Sequence, residues 1–333
     1  MARNVHLILF LFLILLSRGS FAADFTHNID VKKASRSFIV HVPDTLKGQK
    51  DLPVVIIMHG GGGNAEGMRK QTGMDAIADK NGFIAVYPEG TGGLLAGKMR
   101  TWNAGACCGA AARKKVDDVA FISAMIDFLI REYAIDSARV YATGHSNGSQ
   151  MSYRLACELS DKVAAVATNA GQRVLDTCKP LRPVAVLHLH GVQDPCALYD
   201  GGDQCGGCFS QALGIDMPND KWPCRPVRDV VHEHALINGC KDITEIVFTK
   251  GAVTCEAFAG CPKEAPVELC SIERAGHMWA GKHDRGPAIC EAKPDKKICK
   301  TYRDAVGPQN ADIDASQFIW DFFKDIRLPE KTP

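Results

Sequence analysis

Gly144-His145-Ser146-Asn147-Gly148 places a serine between two glycines, each two positions away. A random chain of this size shows G-x-S-x-G about one time in ten, so the pentapeptide needs its context. That context is a β-rich run at residues 139–143 and a helix-forming run at 147–159. A serine on such a strand-to-helix turn is lifted clear of its backbone neighbours, and the glycines remove side chains that would clash there. The helix starting behind Ser146 would bring free N–H groups and a positive dipole end to the reacting oxygen. A serine hydroxyl is a weak nucleophile at neutral pH, so it needs a base, and the base needs an orienting acid.

Both partners should follow the serine in the order acid, then histidine, at later strand ends. In His190-Gly-Val-Gln-Asp194, Asp194 lies just past an apolar run; Asp200 and Asp203 are rivals further out. His277, in Ala275-Gly-His-Met-Trp279, follows the last expected strand. Its rivals are His283 in the same loop and His232 and His234, which fall within a helical pattern. The developing oxyanion needs donors of its own. His59-Gly60-Gly61-Gly62-Gly63-Asn64 follows the first buried strand, as an HGGG-type oxyanion loop does, and carries no Lys-Ser/Thr of a phosphate loop. The donors expected are the N–H of Asn147 and one from Gly60 to Gly62, with Gly61 as the candidate. No metal or cofactor is called for.

Strands and helices must alternate to bring these residues together. Residues 37–42 read as an early edge strand, 53–59 and 83–87 as strands buried on both faces, and 74–80 as a short helix. Residues 88–115 read as Gly-rich loop. Asp117/Asp118 start a helix with Phe121, Met125, Phe128 and Leu129 on one face. Strands are expected at 164–168, 183–189, 243–248 and 268–273, and a helix at 227–237. A last helix from Asp314 carries Phe318, Ile319, Phe322 and Phe323. Residues 192–226 and 276–309 read as irregular, cysteine-bearing loops. This alternation implies a mostly parallel sheet with helices on both faces and Cys-rich loop insertions. No linker is visible, so residues 23–333 read as one catalytic domain.

The chain has 333 residues, 39 Lys+Arg against 38 Asp+Glu, and 46% hydrophobic residues. This near-neutral balance argues against a nucleic-acid or polybasic membrane binder. Residues 7–16 are an apolar decamer after Arg3, and small residues precede a cut after Ala22, so residues 1–22 read as a secretory signal peptide. Ten apolar residues are too few for a membrane span, which needs about 18, so no stable insertion is expected. Export and an even count of 14 Cys imply up to seven disulfides. Cys107 and Cys108, being adjacent, are each expected to pair elsewhere. Cys205-Gly-Gly-Cys208 lacks the second CxxC that a zinc site would need.

Segments 52–63, 101–109, 116–122, 140–158, 182–202 and 275–281 resemble the secreted esterase family of polyhydroxybutyrate depolymerase-like proteins and carbohydrate esterase family 1 feruloyl esterases. Thr101-Trp-Asn-Ala-Gly-Ala-Cys-Cys-Gly109 is the most diagnostic stretch. The resemblance implies an α/β-hydrolase fold with Ser146, Asp194 and His277 as triad, and Trp102 and Trp279 flanking an acyl pocket. It implies a secreted serine carboxylesterase, polyhydroxybutyrate depolymerase-like, with a feruloyl esterase as the alternative. Its ester substrates include polymeric or polysaccharide-linked ones, and short hydroxyacid or hydroxycinnamate esters are expected over long-chain triglycerides. Acyl transfer to an alcohol would use the same residues. A non-catalytic disulfide-rich extracellular binding module is the remaining reading, and the intact Ser, Asp, His order argues against it.

Overall fold

A computed structural model describes residues 23–32, 34–94, 98–208, 221–282 and 289–329. The expected signal segment and His283 lie outside the described residues. The apolar run at 53–59 shows why the sheet is buried. In β3 (Leu52–Met58), successive side chains point to opposite faces. Val54, Ile56 and Met58 enter one core and Val55 and Ile57 the other. β4 (Ile84–Pro88) divides in the same way, with Ile84 and Val86 against Ala85 and Tyr87.

One core is closed by α4 (Asp118–Tyr133), α5 (Asn147–Glu158) and α6 (Val227–Ile237). The other is closed by α1 (Ala65–Thr72), α2 (Met74–Asn81) and α9 (Ala315–Phe323). Local sequence explains the helix starts. The side chains of Asn64, Asp117 and Asp314 accept from the N–H groups of Gly67, Ala120 and Ser316, satisfying donors that a first helical turn leaves free.

The remaining main-sheet strands are β1 (Ala23–Val31), β2 (Ala34–Val42), β7 (Ile135–His145), β8 (Ala165–Asn169), β9 (Ala185–Gly191), β12 (Thr244–Lys250), β13 (Val253–Phe258) and β14 (Val267–Ile272). The ten-stranded order is β1-β2-β4-β3-β7-β8-β9-β14-β13-β12. Pairing is parallel from β4 through β14 and antiparallel at both margins. The chain leaves β3 toward β4 and returns to β7 on β3's other side. In open α/β sheets, a ligand crevice forms beyond the carboxyl ends of strands at such a reversal. The glycine loop leaves β3 and Ser146 leaves β7 at this place.

Several expectations change. Residues 37–42 are not an edge strand, because β1 pairs outside them. The 88–115 stretch is not all loop. It contains the ribbon of β5 (Thr91–Leu94) and β6 (Lys98–Thr101), then α3 (Gly109–Arg113). Within 192–226, β10 (Gly202–Gly206) and β11 (Lys221–Cys224) pair as a ribbon stapled by Cys205–Cys224. Within 276–309, α7 (Ile289–Ala292) and α8 (Lys297–Val306) form.

All fourteen cysteines are paired. Cys107 and Cys108 bond to each other and not elsewhere, and the peptide between them is cis. The two cysteines of the CxxC go separate ways, Cys208 to Cys196 and Cys205 to Cys224. Other bonds join Cys157–Cys178, Cys240–Cys261, Cys255–Cys270 and Cys290–Cys299. Among the described residues, no helix is long and apolar enough to cross a membrane.

Candidate active site

Ser146 sits between the end of β7 and the start of α5 with φ 54° and ψ −119°. A side chain is strained at such a φ, and that strain marks a position the surroundings over-determine. The flanking glycines are required by space. A Cβ on Gly144 would lie 2.4 Å from the Gly148 backbone, and one on Gly148 would lie 2.2 Å from the Met58 carbonyl oxygen. The tight turn thus lets α5 pack directly on the end of β3. The Ser146 N–H donates to the Asn169 carbonyl at the end of β8 at 2.9 Å.

The glycine loop is held from below by His59. Its Nε2 accepts from the Gly90 N–H at 3.0 Å, so its Nδ1 carries the proton and donates to the Gly60 carbonyl at 2.8 Å. Burial pushes this imidazole down to about 4, so it stays neutral. Within the loop, the Gly62 N–H donates to Arg100 and the Gly63 N–H to Gly60. Those two donors are therefore engaged, while Gly61 lies opposite Asn147, with 3.8 Å between a Cβ built on it and that of Asn147. The Asn147 side chain is occupied: Oδ1 accepts from the Trp102 N–H at 2.7 Å, and Nδ2 donates to the Trp102 carbonyl at 3.2 Å.

Asp194 and His277 come together from the ends of β9 and β14, which pair in parallel with Gly191 opposite Ile272. His277 Nδ1 donates to Asp194 Oδ2 at 2.8 Å. Asp194 Oδ1 accepts from the N–H groups of Cys196 at 2.7 Å and Ala197 at 2.8 Å. Burial alone would raise this carboxyl. The adjacent His277 charge and the hydrogen bonds from His190 and His277 outweigh it and hold the group well below the usual carboxylate range.

His277 is itself pinned by α8, whose last residue Val306 accepts from the His277 N–H at 2.6 Å. The His277 side chain is 12% exposed, while Asp194 behind it is fully buried. Its ring lies 4.8 Å from that of His145, the residue before Ser146. His145 donates Nδ1–H to Asn169 Oδ1 at 2.9 Å, and burial followed by the His277 charge pushes it down to about 3. Among the described residues, Ser146 Oγ holds no hydrogen bond.

The rivals stand apart. Asp200 and Asp203 are exposed, His232 pairs with Asp242, and His234 is buried at 3.3 Å from the Val184 carbonyl. Trp102 and Trp279, expected beside an acyl pocket, are both fully buried at 0% and 1% exposure. Trp102 donates Nε1–H to the His59 carbonyl at 2.9 Å, and Trp279 donates to Ser316 Oγ in the core beneath α9. Neither ring is open to stack on a ligand; Trp102 braces the glycine loop and Trp279 packs the segment carrying His277 onto the body. Sequence reasoning passed over α8, Asn169 and His188. The available signal for the last was His188-Leu-His190, two polar residues at a spacing of two on a strand otherwise wholly apolar.

Residues 37–206 match the family model described as Esterase PHB depolymerase. The chain belongs to this esterase family. Feruloyl esterase B of Piromyces equi is 29% identical to this family member over 247 residues, covering 73% of the chain and 42% of that protein. The bifunctional acetylxylan esterase/xylanase XynS20E of Neocallimastix patriciarum is 31% identical over 166 residues, covering 50% and 22%. Feruloyl esterase C of Emericella nidulans is 30% identical over 191 residues, covering 56% and 64%. The chain thus spans less than two thirds of each of these relatives. Acetyl xylan esterase from Aspergillus awamori superposes with a TM-score of 0.51 at 14% identity, over 76% of this chain and 94% of that one, which shows that the α/β-hydrolase-type fold is shared.

Proposed function

We propose that the esterase-family chain is a secreted serine carboxylesterase working through an acyl-enzyme. Ser146 Oγ attacks the ester carbonyl carbon while His277 Nε2 takes its proton. The N–H groups of Gly61 and Asn147 hold the oxyanion, the positive end of α5 adding to the field. Collapse of the tetrahedral intermediate breaks the acyl–oxygen bond, and His277 returns the proton to the departing alcohol. Water, deprotonated by His277, then attacks the acyl-serine, and its proton goes back to Ser146. Asp194 keeps the His277 proton on Nδ1 and stabilises the imidazolium that forms in each half.

The observation that carries this reading is the Asp194–His277 bond at 2.8 Å, beside the strained Ser146 turn, at the carboxyl ends of parallel strands. The names of the relatives support esters borne by polysaccharides, feruloyl and acetyl groups among them, ahead of long-chain triglycerides. Seven disulfides and the apolar N-terminal decamer support export with removal of residues 1–22. Residues 23–333 act as one catalytic domain. The test is labelling by a fluorophosphonate probe, with turnover of methyl ferulate, acetylated xylan, short hydroxyacid esters and a long-chain triglyceride. Wild type should label and turn over the short or aromatic esters, and a folded Ser146→Ala protein should do neither. A Ser146→Ala protein that keeps wild-type turnover refutes the mechanism, and a fastest rate on the triglyceride refutes the substrate class.

A further inference from the structure

Beneath Asp194 runs a string of buried polar groups that the mechanism above leaves unused. The Tyr153 hydroxyl, on α5, lies 2.9 Å from His188 Nδ1, and the Thr168 hydroxyl, on β8, lies 2.8 Å from the same nitrogen. His188 Nε2 lies 2.9 Å from His190 Nδ1, and the two rings stack at 3° with centroids 5.2 Å apart. His190 Nε2 lies 2.7 Å from the Ala197 carbonyl oxygen and 3.4 Å from Asp194 Oδ2. All of these side chains are buried.

The donors can be ordered from both ends. A carbonyl oxygen only accepts, so His190 carries its proton on Nε2. If His190 carries only that proton, its bare Nδ1 accepts from His188 Nε2–H. His188 Nδ1 is in turn bare and accepts from a hydroxyl. Burial raises the Tyr153 hydroxyl and depresses His188, so the first stays a donor and the second stays neutral. The string then points one way, from the hydroxyls of Tyr153 and Thr168 through His188 and His190 toward the acid.

We propose that Tyr153, His188 and His190 form a directional hydrogen-bond relay that holds the turn carrying Asp194, making His190 a positioning residue for the Asp194–His277 pair. Ala197 is the point of action. Its N–H donates to Asp194 Oδ1 and its carbonyl accepts from His190, so the peptides on both sides of one residue are fixed. The second reach of His190 Nε2–H, toward Asp194 Oδ2, steadies the oxygen that orients His277. Because Tyr153 lies on the helix that begins behind Ser146, the relay ties nucleophile and acid into one rigid unit. Histidine suits this role because a buried neutral imidazole accepts on one nitrogen and donates on the other, so two in series carry direction along β9.

The inference rests on the triad reading above, and its first test does not depend on turnover. Long-range ¹⁵N–¹H correlation spectra of ¹⁵N-histidine-labelled protein at neutral pH should show His188 and His190 both neutral and protonated on Nε2. A proton on Nδ1 of either, or a charged ring, overturns the relay. The second test compares His190→Leu with His190→Gln, whose amide nitrogen can stand near the lost Nε2 and keep donating. Leu should lower kcat by about tenfold at unchanged KM, the size that losing one buried hydrogen bond allows, and Gln should recover most of it. A folded Leu variant with wild-type kcat, a loss carried by KM, or a Gln variant no better than Leu overturns the assignment. A wild-type protein that labels with no fluorophosphonate and turns over no ester would refute the function while the spectra still decide the relay.

Discussion

Asp194→Asn keeps the shape of the residue proposed to orient His277 and changes one acceptor into a donor. Two placements of the amide are open. If its NH2 faced the turn, it would oppose the N–H groups of Cys196 and Ala197, now at 2.7 and 2.8 Å from the carboxylate. Two buried donors would then lose their acceptor, at about 1–3 kcal/mol each. The other placement keeps those bonds and points the NH2 at His277 Nδ1. That nitrogen must then accept, so the imidazole proton moves to Nε2, the position that has to receive the proton of Ser146. The wrong tautomer costs roughly 10⁴ in kcat, about 5.5 kcal/mol at 1.36 kcal/mol per factor of ten. The same NH2 also faces His190 Nε2–H, 3.4 Å from the present carboxylate oxygen, so stability should fall as well. The assay is turnover of a short nitrophenyl ester, with circular dichroism and thermal melting to establish folding. A folded Asp194→Asn protein within tenfold of wild-type kcat would refute this account of the acid.

Four further outcomes follow from the geometry. His59 and His234 are pushed down to about 4, His145 to about 3, and His188 well below its usual value, all chiefly by burial. The unfolded chain takes up these protons below about pH 6.5 and the folded one does not, so stability is full above that pH and falls toward pH 4 by about 1.4 kcal/mol per histidine per unit; denaturant melts that do not weaken between pH 7 and 5 would contradict this. Gly148→Ala drives a methyl to 2.2 Å from the Met58 carbonyl oxygen and should displace α5, abolishing turnover and lowering the melting temperature, whereas wild-type values for both would refute the packing. Trp102→Phe keeps an aromatic ring but leaves the buried His59 carbonyl without its donor at 2.9 Å, so about 1–3 kcal/mol of stability and part of kcat should go, and unchanged melting and turnover would refute the bracing role. Denatured, unreduced protein should expose no thiols, and removing Cys157–Cys178 by a double Ser substitution should cost about 2–4 kcal/mol in chemical denaturation.

Much of the architecture was legible without coordinates because it follows from local pattern. A short, β-branched apolar run such as 53–59 reads as a strand covered on both faces, and alternation of such runs with amphipathic helices implies a mostly parallel sheet. The Ser146 turn was legible because its glycines answer a steric demand between near neighbours. That Asp194 and His277 stand at neighbouring strand ends was legible because each follows a recognisable strand, and the structure brings the two side chains into a hydrogen bond. Tertiary structure decided what depends on partners distant in sequence. That β1 covers residues 37–42 depends on pairing, which an alternating pattern does not specify. Trp102 and Trp279 could as well have lined a pocket as filled a core; their N–H groups found His59 and Ser316, and that choice buried both rings. Cys107 and Cys108 turned to each other, and α8 formed from a lysine-rich stretch because its Cys299, Ala305 and Val306 face had something to pack against. The direction of the His188–His190 string was invisible in sequence for the same reason. A histidine's tautomer is set by what its other nitrogen meets, and here that is a hydroxyl on one element and a carbonyl on another.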